Sequence, residues 1–125
     1  MRDLAEARAV VAAARRLGRP VTLVNEPGAH AWLGPGYLLE MVRQAGADGR
    51  DAVAALDCGE DAGFAMLALR VGWRDLHLAG NADAVVRVSA MTGRAGGRFH
   101  AVLPDALTLA PGESADEALA RWLVP

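Results

Sequence analysis

Apolar positions along this chain switch repeatedly between two rhythms. Leu4, Ala7, Val10, Val11, Ala14 and Leu17 recur every three or four residues and predict a helix over 2–17. Asp3 and Glu6 near its start, Arg15 and Arg16 near its end, and Gly18 just beyond complement the helix dipole and supply a left-handed cap. A short apolar run over 21–24 then predicts a strand. After a Pro/Gly-rich loop from Asn25 to Gly36, a helix over 37–45 turns Leu38, Met41, Val42 and Ala45 inward, and Gly46 stops it. The next strand is 52–56, followed by the turn 57–61 and a helix carrying Phe64, Leu67, Ala68 and Val71 up to Gly72. A third strand, 76–79, leads through Gly80 into a helix over 82–91. Asn81 is its N-cap and Val85, Val86 and Ser89 form its inner stripe. The fourth strand is 99–103. Beyond Pro104, Leu107 to Leu109 predicts a short fifth strand, and Ser114 with Glu117 forms the capping box of a terminal helix holding Leu119, Trp122 and Leu123.

Continuous apolar strands alternating with helices predict an α/β fold: a parallel sheet covered by helices, built from repeated βα units in one domain. The expectation is a three-layer sandwich of four or five parallel strands, flavodoxin-like or half-(βα)8-barrel-like, with an extra N-terminal helix. A second periodicity supports it. Arg19, Arg50, Arg74 and Arg98 are each followed seven residues later by a small acidic or amide side chain: Glu26, Asp57, Asn81 and Asp105. Right-handed crossovers put all strand ends of one kind on one edge. The arginines then mark strand starts on one rim, and the acids and amides mark strand exits on the other.

The exit rim is where open parallel sheets and barrels hold ligands. It gathers Asn25, Glu26, His30, Asp57, Glu60, Asp61, Asn81, Asp83 and Asp105, a polar and net acidic set. Such a set suits a divalent cation or a hydroxylated or cationic small molecule. Asp and Asn are also the favoured caps and turn formers, and a structural role recurs in every repeat whereas a catalytic one need not. The departure from the repeat is therefore more informative. The spacing from Arg19 to Arg50 is 31 residues against 24 for the next two intervals, and the excess falls around His30, Trp32 and Tyr37. Glu26, His30, Trp32, Tyr37, Asp57, Asn81 and Asp105 are the candidate ligand-binding residues. Glu26, His30 and Asp57 are candidate metal ligands, and Asp57, Glu60 and Asp61 candidate acid/base groups. His77 and His100, inside strands, are expected to pack against helices. Met41, Met66 and Met91 are expected as core fillers.

Composition narrows the chemistry. All 13 basic residues are arginine, so Schiff-base chemistry, pyridoxal phosphate included, lacks its lysine. A net charge of −2 offers no basic field for nucleic acid and no polybasic membrane patch. The one cysteine, Cys58, excludes an internal disulfide, and the carboxylates around it oppose a reactive thiolate. No apolar run approaches a membrane span and the N-terminal segment is charged, so a cytoplasmic location is expected.

Neither the G-x-x-x-x-G-K-[ST] loop nor G-x-G-x-x-G after the first strand is present, so no nucleotide signature exists. No G-x-S-x-G elbow occurs either. Asp57 at a strand end in a chain of this size resembles a response-regulator receiver domain. That family also needs an acidic pair after its first strand and a lysine near its end, and only Glu26 is offered here. The short βα period resembles aldolase-type (βα)8 barrels in cadence alone. Three readings follow: a small-molecule-binding module, a metal-assisted lyase or hydrolase, or a dimerising interaction module using its alanine-rich helices or an open sheet edge.

Overall fold

The computed structural model describes residues 3–26, 28–29, 33–47 and 52–103. The order of elements is α1 (Leu4–Leu17), β1 (Val21–Val24), α2 (Pro35–Gln44), β2 (Ala52–Asp57), α3 (Ala62–Val71), β3 (Asp75–His77), α4 (Ala82–Arg94) and β4 (Arg98–Phe99). The α/β architecture of repeated βα units on a parallel sheet is present, with α1 as the extra N-terminal helix. All four strands run parallel in the order β1-β2-β3-β4. That consecutive order is the half-barrel alternative rather than the flavodoxin one, in which the chain doubles back across its first strand. Helices that connect consecutive neighbouring strands pack side by side. Accordingly α1 touches α2, α2 touches α3 and α3 touches α4. The expected fifth strand and terminal helix, with Trp122, lie outside the described residues.

Each helix is switched off by the same local device. Gly18, Gly46, Gly72 and Gly96 take positive φ (65°, 92°, 122° and 79°), which L side chains avoid. The residue after each glycine then donates its N–H five residues back: Arg19 to Ala14, Ala47 to Val42, Trp73 to Ala68, and Gly97 to Thr92. This Schellman closure satisfies carbonyls that the helix end leaves unpaired and turns the chain toward the next strand. At the other ends, Asp3, Asp61 and Asn81 cap α1, α3 and α4 with side-chain oxygens. Only α2 lacks a side-chain cap. It opens on Gly34 with Pro35 in its first turn, two residues earlier than the periodicity predicts, because proline needs no N–H partner there.

The core is one cluster built from small side chains. Ala52, Ala65 and Ala68 are fully buried, alongside Leu56 and Leu76 at the sheet centre. Trp73 is the largest fully buried residue, and its indole N–H donates to the Pro35 carbonyl at 2.8 Å, tying β3 to the start of α2. Two helix faces differ from expectation. In α3 the buried positions are Ala65, Ala68 and Leu69, while Met66, Leu67 and Val71 are 42%, 44% and 39% exposed. In α4 they are Val88 and Thr92, and Val86 is exposed. Ala65 and Ala68 of α3 share the core with Ala52 of β2, so close approach there favours small residues and turns larger ones outward.

The last two strands are the shortest. β3 and β4 have three and two residues, where the apolar runs predict four and five. Between β2 and β3 only Leu56 with Leu76 and Asp57 with His77 are in register. Toward the opposite rim these two strands part around a cleft of about 270 Å³, lined by Val53, Ala54, Trp73 and Arg74 with Leu39 and Arg43 of α2.

The junction of β3 and β4 is close. Arg98 donates its N–H to the Arg74 carbonyl at 2.7 Å, and a Cβ at Gly97 would collide with that same carbonyl group. Gly97→Ala is expected to cost roughly 1–3 kcal/mol in urea unfolding, because backbone must shift to admit it. Gly93→Ala, with open space at its Cβ in the last turn of α4, is expected to stabilise by up to ~1 kcal/mol.

Candidate functional site at the strand ends

The exit rim begins at Asn25, a polar side chain only 3% exposed immediately after β1. Its amide reads both main-chain groups of Asp57 on the next strand: Nδ2 donates to the Asp57 carbonyl at 3.0 Å, and Oδ1 accepts the Asp57 N–H at 2.7 Å. The side chain thus extends the β1–β2 ladder one step past the end of β1 and holds Asp57 in place. Asp57 Oδ1 in turn accepts the Gly59 N–H at 2.9 Å, closing the turn, with Gly59 at φ 58°. Two further bonds carry the sheet through this turn. Cys58 donates its N–H to the His77 carbonyl (2.9 Å), and Ala79 donates its own to Gly59 (2.8 Å).

Most rim acids are accounted for by local structure. Asp61 Oδ1 accepts the Phe64 N–H at 2.9 Å, and Asn81 Oδ1 accepts the Ala84 N–H at 3.0 Å, so both are helix caps. Asp83 sits in the first turn of α4, where a negative charge offsets the helix dipole. Glu60 lies exposed against Gly80, whose missing side chain leaves it room. Glu26 is exposed, and Tyr37, in the first turn of α2, is 62% exposed. His30, Trp32 and Asp105 lie outside the described residues. Among the described residues no three His, Cys, Asp or Glu side chains gather as metal ligands, and no helix is long and apolar enough to cross a membrane.

A different set of side chains does come together. Strand register aligns Asp57 with His77, and Leu76 with Phe99, which sets His100 beside His77. The His100 N–H donates to the Leu76 carbonyl at 2.8 Å and continues the ladder. Alternation along a strand turns Leu56, Leu76 and Phe99 toward the helix-covered core and Asp57, His77 and His100 to the opposite face. The three form a half-buried row across the ends of three adjacent strands. His77 Nδ1 lies 2.7 Å from the His100 carbonyl oxygen, and His100 Nε2 lies 3.0 Å from Asp75 Oδ1. The Asp75 and His100 side chains are 21% and 23% exposed. Helix packing, expected of these histidines, is therefore the wrong assignment. Strict alternation through Asp75-Leu76-His77-Leu78 was the signal for a strand with one polar face.

Cys58 is fully buried, and its thiol Sγ faces the Leu56 carbonyl at 3.8 Å. Burial pushes its pKa up from 9.0 to about 12, with Asp57 and Asp61 adding to the effect. It stays a protonated core thiol. No protein-family model, curated protein or solved structure matches the chain.

The raised Cys58 pKa sets a sign for stability. The folded state holds the proton more tightly than the unfolded chain, so this contribution is complete below pH 9.0 and is lost as pH rises toward about 12. Native protein at neutral pH is expected to leave Cys58 unmodified by a thiol-reactive disulfide, with full reaction after denaturation. Rapid labelling of the native chain would show that the thiol is accessible.

Proposed function

We propose that this chain is a small-molecule-binding α/β module whose polar site lies at the C-terminal ends of β2, β3 and β4. The observation that carries this reading is the in-register row of Asp57, His77 and His100, with Asp75 behind it. Parallel strands are ordinarily apolar on both faces, so titratable groups gathered at the ends of three neighbours depart from the rule. Strand spacing of about 4.8 Å gives the row a span of roughly 10 Å, the length of a small metabolite. This edge is also the one parallel sheets and barrels use for ligands.

The metal-assisted lyase or hydrolase built on Glu26, His30 and Asp57 has less behind it. One Asp57 oxygen is engaged in its turn and Asp61 in its cap, which leaves Glu60 as the unengaged acid/base candidate. A cytoplasmic setting accompanies the binding reading, since the single buried thiol needs no oxidising compartment.

In a thermal-shift screen of small polar metabolites, a true ligand at about a hundred times its Kd adds ~2.7 kcal/mol to stability. His77→Ala with His100→Ala is expected to abolish that gain while circular dichroism shows the fold retained. A ligand whose shift survives intact in the folded double variant binds elsewhere, and the reading fails for it.

One observation favours a second reading, self-association. Helix α3 has Arg70 as its sole charged residue, yet Met66, Leu67 and Val71 face outward. A helix apolar on all sides is usually covered. If a second copy covers it, light scattering gives twice the 13.0 kDa chain mass, and Leu67→Glu returns the monomer. A wild-type monomer at high concentration rules this out.

A further inference from the structure

The hydrogen-bond pattern of the row specifies what kind of ligand it accepts, and this step rests on the binding reading above. A backbone carbonyl and a carboxylate only accept. His77 Nδ1 faces the His100 carbonyl and His100 Nε2 faces Asp75, so each of those nitrogens carries the hydrogen. In the neutral rings the remaining nitrogens, His77 Nε2 and His100 Nδ1, hold lone pairs. Asp57 spends Oδ1 on Gly59, and its second oxygen is an acceptor too.

Several donors beside the row are used internally. Both ends of the Asn25 amide are spent on Asp57, and the Cys58, Gly59, Ala79 and His100 N–H groups all have backbone or turn partners. Arg98 stands in register with Asp75, two residues toward the other rim, rather than in line with the three side chains. The strand ends therefore present acceptors beside one uncompensated carboxylate, Asp57.

We infer that the Asp57–His77–His100 row binds a small molecule that presents hydrogen-bond donors, a polyhydroxylated or ammonium-bearing compound, and rejects carboxylates and phosphates. Such a ligand places hydroxyl or ammonium hydrogens on His77 Nε2, His100 Nδ1 and the free Asp57 oxygen. An anion meets only lone pairs there. Rejection by mismatched buried polar groups is a stronger discriminator than any loss of contact area.

Long-range ¹H–¹⁵N correlation spectra of the full ¹⁵N-labelled chain at mildly alkaline pH read the protonation of each ring nitrogen directly. The chain has three histidines, and a His30→Ala sample removes the third signal. The expected result is an Nδ1–H tautomer at His77 and an Nε2–H tautomer at His100. Asp75→Asn should release His100 into a mixture and leave His77 unchanged. The opposite tautomer at either ring, or rings protonated at both nitrogens, overturns the inference.

Titration with ribitol, ethanolamine and inorganic phosphate then separates the ligand classes. Shifts of the bare nitrogens with ribitol or with ethanolamine support it, and which of the two acts tells hydroxyl from ammonium recognition. Shifts with phosphate keep the site and overturn its acceptor character. No shift with any of the three counts against the site itself.

Discussion

One buried amide holds the exit rim of this sheet together. Asn25 gives its donor to the Asp57 carbonyl and its acceptor to the Asp57 N–H, so it acts as one more rung of the β1–β2 ladder after β1 has ended. At 3% exposure it has little access to water as a substitute partner. Removing the amide would leave two main-chain groups of a part-buried strand end unpaired, at about 1–3 kcal/mol each, whereas the bonds themselves contribute nearer 1 kcal/mol apiece. The asymmetry matters because β2 and β3 share only two register pairs. With so short a ladder, the Asp57 turn and the bonds that thread it carry the sheet from its longer half to its shorter half. The clamp thereby sets the height of Asp57, and the register of His77 and His100 follows.

Much of the scaffold is legible in the residues because it is written in local chemistry. Glycine past a helical run, Asp or Asn before one, and Pro35 at a helix start each solve a backbone problem within four or five residues. Those signals place all eight described elements to within a few positions. Strand order is not legible, because pairing is decided between segments about 24 residues apart by shapes that no local signal encodes. The arginine repeat measures distance but not role. Its partners prove unlike: Glu26 is an exposed loop residue, Asp57 closes a turn, and Asn81 caps α4.

The face of α3 departs from expectation for a packing reason. Helical spacing puts Phe64, Leu67, Ala68 and Val71 inside α3. Ala68 is buried and Phe64 packs against the core, whereas Leu67 and Val71 are exposed and Ala65 and Leu69 are buried in their place. In a layer where alanines meet alanines, the distance between helix and sheet is set by the smallest contact, and bulk that would hold them apart is turned away. His77 and His100 are legible only as polar positions of alternating strands; their contacts with the His100 carbonyl and Asp75 depend on pairing between distant segments.

The row at the strand ends is scaffold as well as the proposed site, and the two roles constrain each other. β4 is two residues long, too short to be held by its ladder alone. The His77 ring reaches the His100 carbonyl and the His100 ring reaches back to Asp75, so side-chain bonds add to the pairing that main-chain bonds begin. Each of these bonds uses up a ring N–H on an acceptor of the protein itself. On the proposed reading, what is left for a ligand is the complement: lone pairs and a carboxylate. The proposed acceptor character thus follows from how the short strands are fastened, and under that proposal a change that loosens the β3–β4 junction alters recognition along with stability.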